Sequence, residues 1–335
     1  MSPRSSEVPP PVTAVLDAGQ AWLPMRLGAV ETMLGELAAR HGPRLGADAS
    51  ATLAAGGKRL RPLLVLLCAG AEGGEAAVRA GAAIELVHMA TLVHDDVLDD
   101  APLRRGHPTV AASAGRGRAT CAGDLLFSRA FALLAAAGDQ RAVELLSAAS
   151  IGLALGELAQ RHDAYDTGIG EERYLERCRL KTARLFECAC LMGLAAQATD
   201  GGGGATPREE ALRGFGAEIG LAFQLLDDVL DVSGPPERTG KARGTDLLDG
   251  TVTLPLILAI EREPALGSVE LREITPPEAG AVCDRIAATG SLEEVRSRAL
   301  ALVESAKRRL EEPAFDAEQR RLLGLVADGV VQRYS

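Results

Sequence analysis

The stretch that decides the fold is "AAIELVHMATLVHDDVLDD", residues 82–100, in which a largely apolar segment ends in four aspartates. Apolar residues cover nearly every face of its first three helical turns, which is typical of a helix buried inside a protein. Asp95 and Asp99 are four residues apart, and so are Asp96 and Asp100, so each pair lies on one face of the helix. Carboxylates this close repel one another. The sequence therefore predicts a cation that neutralises them.

The remainder of the chain favours an all-α fold. Of its 335 residues, 47% are apolar but only 3% are aromatic, which favours helix over sheet. Helical periodicity runs through most of the sequence between Gly- and Pro-rich breaks, and no composition shift marks a domain boundary. One such break holds Thr275, a predicted helix cap ahead of two prolines. We expect a disordered lead-in over residues 1–12 and a single all-α domain over residues 13–335.

Charge and cysteine content limit the partners and the compartment. The net charge of −10 argues against nucleic acid as a partner. Six cysteines form no CxxC pair and no zinc-like cluster, which predicts a reduced, cytoplasmic protein. The longest apolar run, "PLLVLLCAGA", is about half of a membrane span. We therefore expect no transmembrane segment, and peripheral contact with a membrane surface remains open.

A second aspartate cluster repeats the first. The stretch "FQLLDDVLDVSG", residues 223–234, places Asp227, Asp228 and Asp231 at the end of another apolar segment. Both clusters contain DDVLD, and oxygen ligands without His or Cys suit a hard cation such as Mg²⁺. A solvated acidic helix end explains most charge runs, but it fits poorly with the apolar turns before both clusters. Two such helices facing each other would hold metal ions that bridge to a diphosphate.

A diphosphate site also needs cationic side chains, and the chain offers a few groups of them. They are Lys58, Arg59 and Arg61 in "GGKRLRP", then Arg104, Arg105, Lys181 and Lys241. Arginine can clamp a phosphate with two parallel hydrogen bonds, whereas lysine acts as a point charge. Each group taken singly is explained by solvated surface. Together with two DDVLD clusters, they predict an anion site.

Five motifs in this order resemble the trans-isoprenyl diphosphate synthases, also called polyprenyl synthases. They are "GGKRLRP", "HDDVLDDAPLRRGHPT", "KTARLF", "FQLLDDVLD" and "GKARGTDLLDGTVTLPL". The resemblance covers the chain from about residue 50 to its end. It implies the isoprenoid synthase fold, an all-α bundle around a deep central cavity, in a homodimer. It also implies head-to-tail addition of isopentenyl diphosphate to an allylic diphosphate such as farnesyl diphosphate, with about three Mg²⁺ ions per active site.

The resemblance also implies a role for individual residues. The metal ligands would be Asp95, Asp96, Asp99, Asp227, Asp228 and Asp231. The isopentenyl diphosphate site would contain Lys58, Arg61, His88 and Arg105. The allylic diphosphate site would contain Arg104, Lys181, Thr182, Gln224 and Lys241. The residues expected to carry catalysis are Asp95, Asp99, Asp227, Arg104 and Lys181. One position departs from the family, because Thr251 stands where a lysine is usual.

Product length is predicted from the helix beneath the first aspartates. Ala90 and Thr91, five and four residues before Asp95, are small where short-chain enzymes of the family carry a bulky aromatic residue. The resemblance is therefore to the long-chain type, with a product of about six to eight isoprene units. The alternative is a geranylgeranyl diphosphate synthase.

Two other classes fit less well. A class I terpene cyclase shares an aspartate-rich helix and Mg²⁺, but it normally has a different second motif and lacks "GGKRLRP". A non-catalytic partner subunit tends to lose one aspartate motif, and this chain keeps both. The catalytic subunit of a heteromeric synthase remains an open alternative.

Overall fold

The computed structural model describes residues 10–19, 22–40, 42–54, 57–104, 106–197, 206–234 and 243–332, and these are mainly helical. The helices are α1 Pro10–Ala18, α2 Trp22–Ala39, α3 Gly42–Ala54, α4 Leu60–Ala69, α5 Gly74–Leu98, α6 Val110–Ala114, α7 Arg116–Ala136, α8 Gln140–His162, α9 Glu171–Cys178, α10 Arg184–Ala195, α11 Pro207–Ser233, α12 Thr245–Leu248, α13 Leu254–Arg262, α14 Pro276–Ala288, α15 Ser291–Arg309 and α16 Ala317–Gln332. The predicted all-α class is confirmed.

Short irregular elements join some of these helices. A π-helical turn, Arg179–Ala183, connects α9 to α10, and 3₁₀ turns cover Ala71–Gly73 and Pro264–Ser268. The only strands among the described residues form a two-residue hairpin, in which β1, Leu103–Arg104, pairs antiparallel with β2, His107–Pro108. This hairpin directly follows the first aspartate cluster. It bends the chain back towards the end of α5.

Two predicted features at helix starts have different outcomes. Thr275 precedes α14 as predicted, and its backbone N–H donates to the carboxylate of Glu278 over 2.8 Å in a capping box. In the predicted lead-in, residues 1–9 lie outside the described residues, but Pro10–Pro11 and the next residue belong to α1. Proline lacks only a backbone donor that the first helical turn does not use, so it can begin a helix.

The described residues divide into two compact units, each built from several segments of the chain. Unit 1 comprises Met1–Ala148, Cys188–Arg213 and Glu311–Val326. Its centre is α5, which packs on α4 and most extensively on α7. Helix α4 is buried from Pro62 to its end at Ala69. The prediction of a single domain over residues 13–335 stays a prediction.

Unit 2 comprises Ala149–Glu187, Gly214–Leu310 and Ala327–Ser335. In this unit α13 packs on α15 and on the 3₁₀ turn that follows α13. Helix α11 buries Phe215, Ile219, Ala222 and Leu226, which recur at the helical spacing of one face. The second aspartate cluster stands at the carboxyl-terminal end of this helix.

Three described helices have the length and mean hydropathy of a membrane span, namely Ala71–Leu98, Arg116–Ala136 and Gln140–His162. The expectation of no transmembrane segment rested on the longest apolar run and stays a prediction, although by length and composition alone these three helices are candidates. It considered only uninterrupted apolar runs, whereas these helices intersperse a few charged residues among Ala, Leu and Val. Most of the first helix is buried within its unit, but most of the other two is not.

Candidate active site

The first aspartate cluster turns successive carboxylates in different directions. Asp95 is half-buried and Asp99, which caps α5, is exposed. Asp96 is buried, and its Oδ1 accepts a hydrogen bond of 2.7 Å from Nε of Arg104 in β1. Because neighbouring residues on a helix point about 100° apart, Asp95 and Asp96 cannot both face the same way. The hairpin thus places Arg104 beside Asp96, the aspartate that faces inward. Arg105 lies outside the described residues.

The "GGKRLRP" turn rests on a buried carboxylate. Arg59 has a left-handed backbone with φ of 47°, and its Nη1 donates to Oε1 of Glu85 over 2.9 Å. Glu31 forms a second ion pair with this guanidinium. Burial lowers the pKa of Arg61 to about 10, and the nearby Glu85 offsets part of that effect. Arg61 therefore stays protonated at neutral pH. Lys58, three residues earlier in the same motif, is half-buried.

Glu85 has no assigned role in the sequence-based site, yet it organises this turn. It is 3% exposed on α5 and pairs with a guanidinium that is itself 9% exposed. A buried charge is costly unless it is paired, so Glu85 and Arg59 hold each other in place. The signal was available in the sequence as an isolated acidic residue within the apolar stretch at 82–93.

The remaining predicted residues of α5 differ in exposure. His88 is half-buried, and its backbone carbonyl accepts a hydrogen bond of 2.8 Å from the hydroxyl of Thr91. Ala90 is fully buried, whereas Thr91 is half-buried. Of the two residues assigned to product length, Thr91 is therefore the one with surface that a substrate chain could contact.

The second cluster, in unit 2, shows the same division between neighbouring aspartates. Asp227 is half-buried, whereas Asp228 is 2% exposed. Asp228 accepts a hydrogen bond of 2.5 Å from the Tyr174 hydroxyl at Oδ2 and one of 2.7 Å from Nε2 of Gln224 at Oδ1. Burial raises the pKa of Asp228 well above its usual range, and Asp246 adds to this, while the two hydrogen bonds oppose it.

Asp246 is a further carboxylate that sequence reasoning missed. Its backbone N–H donates to Oδ2 of Asp231 over 3.2 Å, so the start of α12 lies against the second cluster. The signal was present, because Asp246 belongs to the quoted motif "GKARGTDLLDGTVTLPL". The backbone N–H of Thr251 donates to the Asp246 carbonyl over 2.7 Å. Lys241 lies outside the described residues.

Lys181 and Thr182 lie in the π-helical turn, an element that sequence patterns did not predict. Such turns contain one extra residue and are frequent at functional sites. Two glycines allow neighbouring helices to approach it closely: a Cβ on Gly156 of α8 would meet the Lys181 backbone nitrogen at 2.6 Å. A Cβ on Gly220 of α11 would meet the Cα of Ala183 at 2.7 Å. Only glycine fits at these two points.

Glu157 of α8 is the immediate partner of Lys181 and was also missed. Its Oε2 is 2.5 Å from Nζ of Lys181, and its Oε1 accepts a hydrogen bond of 2.8 Å from Arg161. Burial opposes ionisation, but these two cations prevail and lower the pKa of Glu157. Lys181 is thus held in one position by a carboxylate. No sequence signal connects these two residues, which are 24 positions apart.

The carboxylates suit a divalent cation in kind. Within the described part of the chain, no three His, Cys, Asp or Glu side chains form a ready-made metal cage. Mg²⁺ commonly binds through one or two carboxylates and completes its shell with waters and substrate phosphates. The half-buried Asp95 and Asp227 match that chemistry, whereas Asp96 and Asp228 direct oxygens to protein donors.

Comparison with known proteins identifies the family. The sequence profile of the Polyprenyl synthetase family matches residues 43–283. The chain belongs to this family. Heptaprenyl diphosphate synthase component 2 of Geobacillus stearothermophilus is 39% identical over 85% of this chain and 88% of its own length. Octaprenyl diphosphate synthase of Escherichia coli (strain K12) is 39% identical over 73% of this chain and 76% of its own.

Other members of the family differ in product. Geranylgeranyl diphosphate synthase of Methanosarcina mazei is 35% identical over 83% of this chain and 86% of its own length. Among solved structures, a polyprenyl synthase of Caulobacter crescentus, complexed with calcium and isoprenyl diphosphate, superposes with a TM-score of 0.84. It is 33% identical and covers 99% of this chain and 100% of its own. Membership establishes a trans-prenyl diphosphate synthase and leaves product length to be decided.

Proposed function

We propose that this protein is a Mg²⁺-dependent prenyltransferase that makes a long-chain all-trans polyprenyl diphosphate of about six to eight units. The observation that carries the proposal is the pair of DDVLD clusters, in each of which the first aspartate is half-buried and the second is pinned by protein donors. In each cluster the half-buried first carboxylate has surface that a ligand can reach. It fits the family to which the chain belongs.

When bound, divalent ions would supply charge that stabilises the departing diphosphate. Asp95 and Asp99 would hold them from the first cluster, and Asp227 from the second. Asp231, which accepts a backbone hydrogen bond from Asp246, would support the second cluster. The polyprenyl synthase of Caulobacter crescentus is complexed with calcium and isoprenyl diphosphate, which supports the use of a divalent cation.

The two substrates would bind at separate groups of cations. Arg61, whose charge Glu85 favours, remains protonated and would bind isopentenyl diphosphate together with Lys58 and His88. Lys181, held by Glu157, would bind the allylic diphosphate together with Thr182 and Gln224. Arg104, Arg105 and Lys241 are proposed for the diphosphate sites from the resemblance alone.

Alanine substitutions are expected to separate the two binding sites. Arg61→Ala should mainly raise the KM for isopentenyl diphosphate, and Lys181→Ala should mainly raise the KM for farnesyl diphosphate. A lost charge-assisted contact is worth about 1.5–3 kcal/mol, or roughly ten- to a hundredfold. Steady-state kinetics with one substrate varied at a time measures both. Equal effects of both variants on both substrates would show that the sites are assigned wrongly.

A homodimer is proposed from an apolar face of α8. Ile151, Leu155 and Leu158 recur at helical spacing and are 60%, 51% and 66% exposed in the isolated chain. Large apolar side chains grouped on one helix face mark interaction surfaces. A second copy of the chain is the proposed occupant, and light scattering should give twice the mass of one chain. The relative named component 2 makes a heteromer the competing outcome, in which the purified chain would be monomeric and inactive without another protein.

A cytoplasmic location is proposed from the cysteines. The six cysteines contain no CxxC pair and no zinc-like cluster in the sequence, and Cys68, Cys121, Cys178 and Cys283 are free thiols in the structure. Disulfides are rare in reducing compartments and common in oxidising ones. Fractionation of the producing cells, with detection by antibody, tests the location. Recovery in an oxidising compartment would contradict it.

One experiment tests the proposed activity. Purified protein is incubated with Mg²⁺, farnesyl diphosphate and isopentenyl diphosphate, and the dephosphorylated products are separated by chain length. We expect products of about six to eight units that disappear when a chelator removes the metal. A four-unit product would favour a geranylgeranyl diphosphate synthase. Hydrocarbon formed without isopentenyl diphosphate would reject prenyl transfer in favour of cyclisation.

A further inference from the structure

A continuous chain of hydrogen bonds in unit 2 links α9, the π-helical turn and α11. The Tyr174 hydroxyl donates to Asp228 over 2.5 Å, and Gln224 donates to the other oxygen of Asp228 over 2.7 Å. The hydroxyl of Thr182 in turn donates to Oε1 of Gln224 over 2.7 Å. Three side-chain bonds thus connect Tyr174, at one end, with Thr182 in the π-helical turn.

The direction of each bond is set by the chemistry of the groups. The Gln224 amide has one donor side and one acceptor side. Because its NH₂ group is turned to Asp228, its carbonyl oxygen must face Thr182. The Thr182 hydroxyl therefore donates its single hydrogen to Gln224, and its oxygen can only accept hydrogen bonds from other groups. The hydrogen bond to Asp228 therefore sets the orientation of the Gln224 amide and, through it, that of the Thr182 hydroxyl.

Burial indicates that Asp228 belongs to this hydrogen-bond network and does not bind an ion. Asp228 and Tyr174 are 2% and 1% exposed, and both Asp228 oxygens accept hydrogen bonds from side chains. The neighbouring Asp227 is half-buried. Polar networks in an apolar interior hold their members in one arrangement when every member is satisfied. Removing one donor leaves the carboxylate and the Gln224 amide able to reorient.

We propose that Tyr174 is a positioning residue for the allylic diphosphate, acting through Asp228 and Gln224 on Thr182 beside Lys181. The inference rests on the proposed function, because it assigns the same π-helical turn to the allylic substrate. In this proposal Asp228 is the central acceptor of the hydrogen-bond network, whereas the resemblance implies that it is a metal ligand. The Tyr174 hydroxyl is buried and donates to Asp228, so its proposed role is indirect.

The test is Tyr174→Phe, which removes the hydroxyl and keeps the ring. We expect the KM for farnesyl diphosphate to rise roughly tenfold, with the KM for isopentenyl diphosphate unchanged. The Mg²⁺ concentration that gives half-maximal rate should also stay unchanged. The matched control is Tyr165→Phe, the same chemical change in the same unit, which should leave all three quantities unchanged. Circular dichroism on each sample reports whether the variants are folded.

A double variant separates positioning from a general loss of stability. If Tyr174 acts through Thr182, then Tyr174→Phe combined with Thr182→Val should be no worse than Thr182→Val alone, whereas independent effects multiply. Asp228→Asn provides a second route if Tyr174→Phe does not fold, and it should raise the same KM without altering the Mg²⁺ dependence.

Three results would overturn the inference while the proposed function stands. They are multiplicative effects in the double variant, an equal rise in both KM values, and a higher Mg²⁺ requirement in Asp228→Asn comparable with that of Asp227→Asn. Wild-type protein without any turnover of the two diphosphates would instead reject the proposed function. The variants therefore test the inference, and the wild-type protein tests the proposed function.

Discussion

Asp95→Asn is expected to lower kcat/KM by a factor of about a hundred to a thousand, the usual loss when one preorganised electrostatic contact to a transition state is removed. Asparagine keeps the shape of the side chain but loses the charge that attracts a divalent ion. Asp95 is half-buried, and its neighbour Asp96 is already committed to Arg104. No adjacent carboxylate of the same turn can therefore replace it.

The fold should survive this change. Asp95 shares its face of α5 with Asp99, and like charges at this spacing repel. Removing one of them should hold or slightly raise the melting temperature. Rates at saturating Mg²⁺ and a thermal melt, measured on one preparation, distinguish lost chemistry from lost structure.

Asp100→Asn is the matched control, since it makes the same change five residues further along. Asp100 is exposed and pairs with Arg116 at the surface, an interaction worth little. Asparagine also tolerates the left-handed backbone at this position, where φ is 49°. Its rate should stay close to that of the wild type. A tenth or more of the wild-type rate in Asp95→Asn would refute the assigned role of Asp95.

Thr91→Phe is expected to shorten the product to about three or four units while the enzyme stays active. Thr91 lies four residues before Asp95, about one helical turn or 6 Å away along α5. A chain growing from a diphosphate held at the aspartates must pass this depth. Phenylalanine adds a ring of several ångströms there and leaves the charged groups intact. Separation of the extracted products by chain length measures the effect.

Two further variants show whether the ring blocks the chain or disturbs packing. Thr91→Val keeps the size of the side chain and should keep the long product. Ala90→Phe places the same ring on a fully buried position and should overpack the interior, at a cost of about 1–3 kcal/mol. A folded Thr91→Phe enzyme that still makes the wild-type product would remove Thr91 from the path of the chain.

Local patterns were sufficient for the aspartate clusters. Asp95 and Asp227 could be singled out because both stand in DDVLD at the end of an apolar helix, and helical spacing alone orders their carboxylates. The "GGKRLRP" stretch was informative for a similar reason, since a short charged turn beside an apolar helix predicts an anion site. Such features depend on residues within one or two turns of each other.

Partners from distant parts of the chain could not be predicted in the same way. Glu157 precedes Lys181 by 24 residues, and Tyr174 precedes Asp228 by 54, with no pattern relating the members of either pair. Their contacts exist because separate helices pack together. Close approach at Gly156 brings α8 against the π-helical turn.

The amino-acid sequence by itself determined the helical class, the two aspartate clusters and the family, because helix periodicity and short motifs are properties of neighbouring residues. Only the tertiary structure decided which aspartate of each cluster is buried against a protein donor. Asp95 and Asp96 are chemically identical in the sequence, as are Asp227 and Asp228. Packing buries the second of each pair, and burial requires a partner for a polar group. Arg104, in the hairpin after α5, and Tyr174, in α9, are those partners. Their positions depend on how these elements pack, which the sequence around each aspartate does not show.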